Sequence, residues 1–452
     1  MHIIKSVSGL YFGFKKRVTT SLDVLSTALY FFVLLSTGAI TNILIVFFLD
    51  ATQQGYWYSF ASLLTLAGFA ELGAGQVLTR LTAVECGQKA IDGERAQKRI
   101  RALFRIALAL SFLAPLVAIM IGFTFGLWWL TLSTSRGEWL PAWILAVLAA
   151  ASQLGVSFIN SYGEGLLEVA KVNFGRSFSQ FISFLVLIVS LYEGLGLYSL
   201  ALSRFAFTFA ALSYLAWNFW KRFLSERLWQ ASNHALSWRL EFWPLQWRYA
   251  LTWLTGVVFN FSLVPIVLRY DSVEAAGKLG LSISLGKMIT ALAYSWIVSR
   301  RALLSSLVGA ENYSLFKVQI RKIIRNCLLT YSSIGGTAVA VMFINPAILE
   351  KITSRMLSPS DFTILILGGF ASLVIVYTSE IVRAFQKEPF AKISWTHAIV
   401  TLVAAFPATM YFGVTGAVVN WALFNAIFAI VYRRVMQKYL KRINRIEESD
   451  RS

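Results

Sequence analysis

Long apolar runs separated by short polar turns dominate the chain, and their lengths predict helices that cross a lipid bilayer. A helical span needs about 20 apolar residues and satisfies its own backbone polar groups, which an open sheet in lipid does not. Windows of that length place twelve helices, over Val24 to Leu49, Gly55 to Leu81, Leu103 to Leu130, Pro141 to Tyr162, Phe174 to Leu191 and Gly196 to Trp220 in the first half. The second half gives Tyr249 to Leu268, Gly277 to Val298, Ile323 to Leu349, Phe362 to Ala384, Ile393 to Tyr411 and Gly416 to Tyr432. The runs are continuous, without the apolar–polar alternation of a membrane barrel.

One stretch organises the rest. From Asn42 to Arg80 an apolar run ends at Leu49, polar residues Asp50 to Gln54 turn the chain at Gly55, and a second apolar run carries a single acid, Glu71. This reads as a transmembrane hairpin with a charge inside it. Tyr270-Asp271-Ser272-Val273-Glu274-Ala275-Ala276-Gly277 echoes the order of Phe48 to Gly55, and the apolar run after it is interrupted by Lys287. A second echo at nearly the same offset relates Tyr192-Glu193-Gly194-Leu195-Gly196, before the sixth helix, to Tyr411-Phe412-Gly413-Val414-Thr415-Gly416, before the twelfth. Two echoes in corresponding hairpins predict a duplicated architecture, all-α and polytopic, with two six-helix bundles related by a pseudo-twofold axis along the membrane normal and a cavity between them. The expected segments are a bundle over 1–220, a connector over 221–248, a second bundle over 249–435 and a basic tail over 436–452.

Composition agrees with the membrane class: 57% of the 452 residues are hydrophobic and 14% charged. The net charge of +19 suggests a polyanion partner until its distribution is considered. Of the 41 lysines and arginines, only Arg136, Arg269, Lys278, Lys351 and Arg355 fall in or beside one set of alternate loops, and only Arg204 and Lys287 fall deep inside spans. The remainder lie in the tails, in the other loops or at the span ends beside them, the signature of a cytoplasmic side with both termini inside. The charge is a topology signal, so nucleic acid is not expected as a partner. Lys15-Lys16-Arg17 precedes a run too long for a signal peptide, so the first span is expected to stay in the protein. Cys86 and Cys327 form neither a disulfide framework nor a zinc site, and His2, His234 and His397 have no ligand spacing. The connector mixes Trp229, Trp238, Trp243 and Trp247 with basic residues, suiting either a plain linker or an amphipathic helix in the headgroup layer. Trp128, Trp129, Trp139 and Trp143 read as an interfacial belt.

Ionisable groups inside spans are costly and are the first candidates for function. Lys287 lies nine positions past Lys278, roughly 14 Å deep, and Arg204 eight past Gly196, roughly 12 Å deep, at 1.5 Å per residue. Such cations compensate an anionic group crossing a region of low dielectric, Arg bidentately and Lys as a point charge. The plainer alternative is an ion pair between helices, such as Lys287 with Glu71. Glu71 reads either as a proton- or sodium-coupling carboxylate or as a structural ion-pair partner. Glu380 reads as a clamp on Arg383 one turn away. Arg80 and Arg383 are either inner-end anchors or groups that recruit an anionic head group. Asn42 and Asn260, in the first helix of each half, offer amides to sugar hydroxyls or to neighbouring helices. His397 reads as a polar anchor near the end of its span, and Pro115, Pro265, Pro346 and Pro407 mark kinks.

Phe69-Ala70-Glu71-Leu72-Gly73 with Arg80 beyond it, and the Gly-x-x-Gly turn at Gly413 and Gly416, resemble the polysaccharide-export and O-antigen flippase family. That family lies within the multidrug, oligosaccharidyl-lipid and polysaccharide exporter superfamily. The resemblance implies a flippase, not an enzyme, in a bacterial inner membrane, carrying an undecaprenyl-pyrophosphate-linked oligosaccharide to the periplasmic leaflet by alternating access. It implies work alongside a polysaccharide polymerase and a chain-length regulator, in assembly of O-antigen lipopolysaccharide, capsule or exopolysaccharide. It implies no cofactor beyond a coupling proton or sodium ion. Two alternatives stand beside it. A cation-coupled drug exporter of the same superfamily is expected to carry acids rather than Arg204 and Lys287, and a membrane polymerase or glycosyltransferase needs a larger outer loop than any present here.

Overall fold

The computed structural model describes residues 2–88, 92–133, 137, 139–225, 238–247, 250, 263–298, 300, 304, 307–308, 312–385 and 389–449. Every regular element among them is helical. In chain order these are α1 (His2–Phe48), α2 (Ala51–Ala67), α3 (Ala74–Gln88), α4 (Gly93–Ile121), α5 (Leu127–Ser133), α6 (Trp139–Gly165), α7 (Val169–Tyr192) and α8 (Tyr198–Ser225). After a π-helical turn, Trp238–Phe242, come α9 (Leu263–Tyr270), α10 (Val273–Val298), α11 (Tyr313–Ile344), α12 (Glu350–Thr353), α13 (Pro359–Arg383) and α14 (Ala391–Ser449).

Nine of the described helical stretches are long and apolar enough to cross a membrane, or ten when the bent pair Ala51–Ala70 and Ala74–Gln88 is taken as one span. Eleven of the twelve spans expected from hydropathy fall largely on described helices, the second of them broken between α2 and α3. α14 carries the last two, because its backbone leaves the helical region at Gly413 (φ 58°, ψ −146°). The seventh is described only from Leu263 onward, as α9.

Local sequence sets the helix ends. Asp92 caps α4 by accepting from Arg95 N at 3.1 Å, and Asn312 caps α11 by accepting from Leu315 N at 3.2 Å. At the start of α13, Ser358 Oγ accepts from Asp361 N at 3.1 Å and donates to Asp361 Oδ2 at 2.8 Å, with Pro359 in the first turn, where its missing N–H costs nothing. α11 ends on Asn345 in the left-handed region (φ 44°), a residue type that tolerates it.

The chain divides into two compact units. The first comprises Met1–Leu44, Leu64–Thr131 and Ser135–Leu254. In it α6 is the central helix, packing on α3, α4 and α8, while α7 lies along α8. Its core is built on Val77, Leu78, Leu103, Phe158 and Tyr162, all essentially solvent-free. Trp143 is also fully buried and Trp139 nearly so; Trp143 Nε1 donates to Gly122 O at 3.3 Å across the π-helical turn Gly122–Gly126. These two indoles therefore belong to the core rather than to the belt expected from sequence, whereas Trp128 is exposed as expected.

The second unit comprises Ile45–Leu63, Leu132–Thr134 and Thr255–Ser452. Within it α13 packs along α14, and α10 on α11 and α13. The two glycines of the first echo meet there. A Cβ on Gly277 would lie 2.8 Å from Gly55 N, and one on Gly55 would lie 2.1 Å from Val273 O, so only glycine permits this backbone approach. Gln54 closes the contact by donating from Nε2 to Gly277 O at 3.1 Å and to Arg355 O at 3.0 Å. The second echo supplies the turn between the last two spans: Asp271 Oδ2 accepts from Val414 N at 2.7 Å, beside Gly413. Asp361 Oδ2 accepts from Thr415 Oγ1 at 3.2 Å.

Candidate functional site

Arg204 lies in α8 and faces α6. Its Nη1 donates to Gln153 Oε1 at 3.3 Å, and one turn on Thr208 Oγ1 meets Ser152 Oγ at 3.1 Å. Among the described residues no carboxylate pairs with Arg204, so its positive charge is held between apolar spans by a neutral amide. Gln153 carries no formal charge and does not stand out in the hydropathy pattern. The only sequence signal for it is a polar side chain in an otherwise uncharged run.

Lys287 lies midway along α10 on an exposed position of that helix. Seven residues on, at two turns and so on much the same face, Tyr294 donates from Oη to Glu380 Oε1 at 3.1 Å. Arg383 Nη1 donates to the same oxygen at 3.3 Å, the one-turn clamp expected from sequence. Tyr294 is the added member, and it ties α10 to the C-terminal end of α13.

Glu71 sits where the second span breaks. α2 ends at Ala67, a 3₁₀ turn covers Gly68–Ala70, and Leu72 and Gly73 take left-handed backbone (φ 43° and 71°) before α3 starts at Ala74. The two helices meet at 48°. The hydropathy pattern predicts one continuous helix from Gly55 to Leu81; the break is a correction, because apolar content is blind to a left-handed leucine. The carboxylate folds back over α3: a Cβ at Gly75 would lie 2.8 Å from Glu71 Oε1 and 2.9 Å from Ser161 Oγ of α6. Arg176 is near enough for its charge to act on Glu71, and its guanidinium pairs with Glu164 and lies 6.0 Å from the Tyr30 ring centroid. Sequence reading counts Arg176 with the loop bases, at the edge of the run that starts at Phe174, but α7 begins at Val169, so Arg176 lies two turns inside the helix.

Arg80 is exposed on α3 and Asn42 is buried in α1. Asn260 lies outside the described residues. His397 is buried in α14 and stacks on Phe428 with ring centroids 4.3 Å apart, so it is a packed core residue and not the interfacial anchor expected. The candidate residues thus fall into separate settings: Arg204 with Gln153, and Glu71 with Arg176 and Glu164, in the first unit; Lys287 and the Tyr294–Glu380–Arg383 group in the second. Among the described residues no group of His, Cys, Asp and Glu is arranged to hold a metal ion.

No protein-family model and no curated protein matches the sequence. Solved structures do match in fold. The lipid II flippase MurJ in an inward closed conformation superimposes with a TM-score of 0.66 over 93% of this chain and 90% of its own, at 14% identity. An inward-facing multidrug resistance MATE family transporter of the MOP superfamily gives 0.60 over 90% of this chain and 99% of its own, at 15% identity. A Vibrio cholerae MATE transporter gives 0.56 over 94% and 98%, at 14% identity. This multi-pass membrane chain therefore has the fold of the lipid II flippase MurJ and of these MATE family transporters.

Proposed function

We propose that the protein is a flippase that moves an undecaprenyl-pyrophosphate-linked oligosaccharide from the cytoplasmic to the periplasmic leaflet of a bacterial inner membrane by alternating access, for assembly of a surface polysaccharide. Both termini lie in the cytoplasm in this reading. The observation that carries it is the setting of Arg204. A guanidinium within a span, held by Gln153 Oε1 at 3.3 Å and by no described carboxylate, keeps its full charge for an anionic ligand. Lys287 is the corresponding cation of the second unit, and Arg80 and Arg383 receive the head group at the inner ends. Likeness in fold to a lipid II flippase supports the same class of cargo.

The residues divide the work by their chemistry. Arg204 and Lys287 offset the pyrophosphate charge while the polyprenyl tail stays in lipid. Asn42 and Asn260 offer amides to sugar hydroxyls. Glu71, at the helix break, is the carboxylate through which a proton or sodium ion couples to transport, Arg176 and Glu164 setting its charge balance.

A second reading, export of a cationic drug, draws on the MATE likeness and on Glu71. The two readings separate on substitution in a strain lacking the native copy. In the flippase reading, Arg204→Ala and Lys287→Ala abolish surface glycan while the inserted protein stays at wild-type level, and lipid-linked glycan accumulates. Unchanged glycan in both variants, together with drug sensitivity in Glu71→Gln, would instead favour the exporter.

A further inference from the structure

The connector between the two sets of spans contributes a strip, Trp238–Phe242 followed by residues 243–247, whose two faces differ. On one face Phe242 is fully buried in the cluster that holds Ile100, Leu103, Phe104 and Tyr162; Leu245 packs at its edge, and Gln246 is buried beside them. Arg99 of α4 fixes this face by donating from Nε to Glu85 Oε1 at 2.6 Å and from Nη2 to Glu241 Oε2. On the other face Trp243 and Trp247 are 46% and 54% exposed, and Arg239 is exposed with them; Trp238, 41% exposed, lies at the edge and stacks on Phe242 with ring centroids 4.4 Å apart. Arg239, Trp243 and Trp247 recur every fourth residue, forming one stripe.

The depth of the strip follows from α4. Arg105 is the last charge of that helix, and no charged residue occurs from Ile106 to Ser135, so hydrocarbon begins at about Ile106. Arg99 lies about 10 Å outside that level and Phe104 about 3 Å, at 1.5 Å per residue. The strip docks between them, at the depth of the lipid headgroups. Indoles prefer this layer because the ring is apolar and the N–H stays wet, and a guanidinium there meets lipid phosphate. Nucleic acid fits less well: the strip carries a single base, Arg239, too few for a polyanion, and it docks at the level where the apolar part of α4 begins.

We infer that residues 238–247 form a membrane-surface foot, clamped by Arg99 to the inner ends of α3 and α4, with its exposed face occupied by anionic phospholipid headgroups. Trp243 and Trp247 enter the upper acyl layer, and Arg239 pairs with phosphate. The assignment does not depend on the transported cargo.

The test uses the full chain with Cys86 and Cys327 replaced by Ser, reconstituted in phosphatidylcholine vesicles with and without phosphatidylglycerol. Spin labels are placed singly through Trp243→Cys, Trp247→Cys and Ser449→Cys. Pro244→Cys, also exposed and outside the clamp, repeats the measurement without removing an indole. The ratio of oxygen to nickel-chelate accessibility should be at least about fivefold higher at 243, 244 and 247 than at 449, as expected for interfacial burial, and should rise with phosphatidylglycerol. Arg239→Glu should remove that rise while leaving the protein folded. Nickel accessibility at 243, 244 and 247 equal to that at 449 in every lipid mixture would overturn the assignment, and is the result a solvated or protein-binding face would give. A phosphatidylglycerol response that persists in Arg239→Glu would overturn the phosphate contact.

Discussion

At the scale of single residues, the partner of Arg204 distinguishes a working cation from a structural one. Gln153→Glu places a carboxylate where the amide oxygen now accepts from Arg204 Nη1. If the charge serves a ligand, neutralising it should slow transport by about tenfold or more, the scale of one lost charge-assisted contact, while thermal stability holds or rises. If Arg204 only joins α6 to α8, Gln153→Glu should leave transport intact. Transport rate and melting temperature measured on the same preparation decide it. Glu380 tests differently. Its bond from Arg383 is partly exposed and contributes about 1 kcal/mol or less, so Glu380→Gln is expected to lower stability only slightly. A loss of transport beyond that would mark Arg383 as a group whose position matters. Both span cations were legible in the sequence, because a charge in an apolar run has few ordinary explanations. Gln153 and Tyr294 were not, since a neutral polar side chain gives hydropathy nothing to register. Arg176 reads as an end anchor because it falls two residues past Phe174, where the apolar run starts; the helix itself begins earlier, at Val169.

At the scale of elements, the echoes carry the most physical content. Gly55 and Gly277 occupy matching positions at nearly half a chain's separation, and the structure brings them into backbone contact. Replacing Gly277 with Val inserts methyl groups against Gly55 N and Cα. The expected cost is about 1–3 kcal/mol, the range for overpacking a close contact, read as a fall in melting temperature in detergent. Gly413→Ala should destabilise as well, through its left-handed φ of 58° and the approach of Asp271 Oδ2 to 2.6 Å from the new Cβ. Asp271→Asn should cost less, since an amide oxygen still accepts from Val414 N. The break at Glu71 lay beyond sequence reading. Gly68, Gly73 and Gly75 cluster there, but nothing in their spacing says that Leu72 is the residue held in the left-handed region.

At the scale of the molecule, the distribution of Lys and Arg assigns a side to each loop without help from any motif. Loop charge is read by the membrane itself, so its bias survives errors in individual helix ends. The sequence was least informative about folding of the connector. Its tryptophans suited an interfacial strip, but the burial of Phe242 and the clamp of Arg99 on Glu85 and Glu241 depend on side chains far apart in the chain. Cargo is the property on which the whole account turns, and the most direct measurement is of translocation. Proteoliposomes holding the purified chain and a fluorescent undecaprenyl-pyrophosphate oligosaccharide, quenched from outside, report its rate of exchange between leaflets. The account predicts exchange with the wild-type chain and a rate about tenfold or more lower with Arg204→Ala or Lys287→Ala. No exchange above protein-free vesicles, or equal rates in all three proteins, would contradict it.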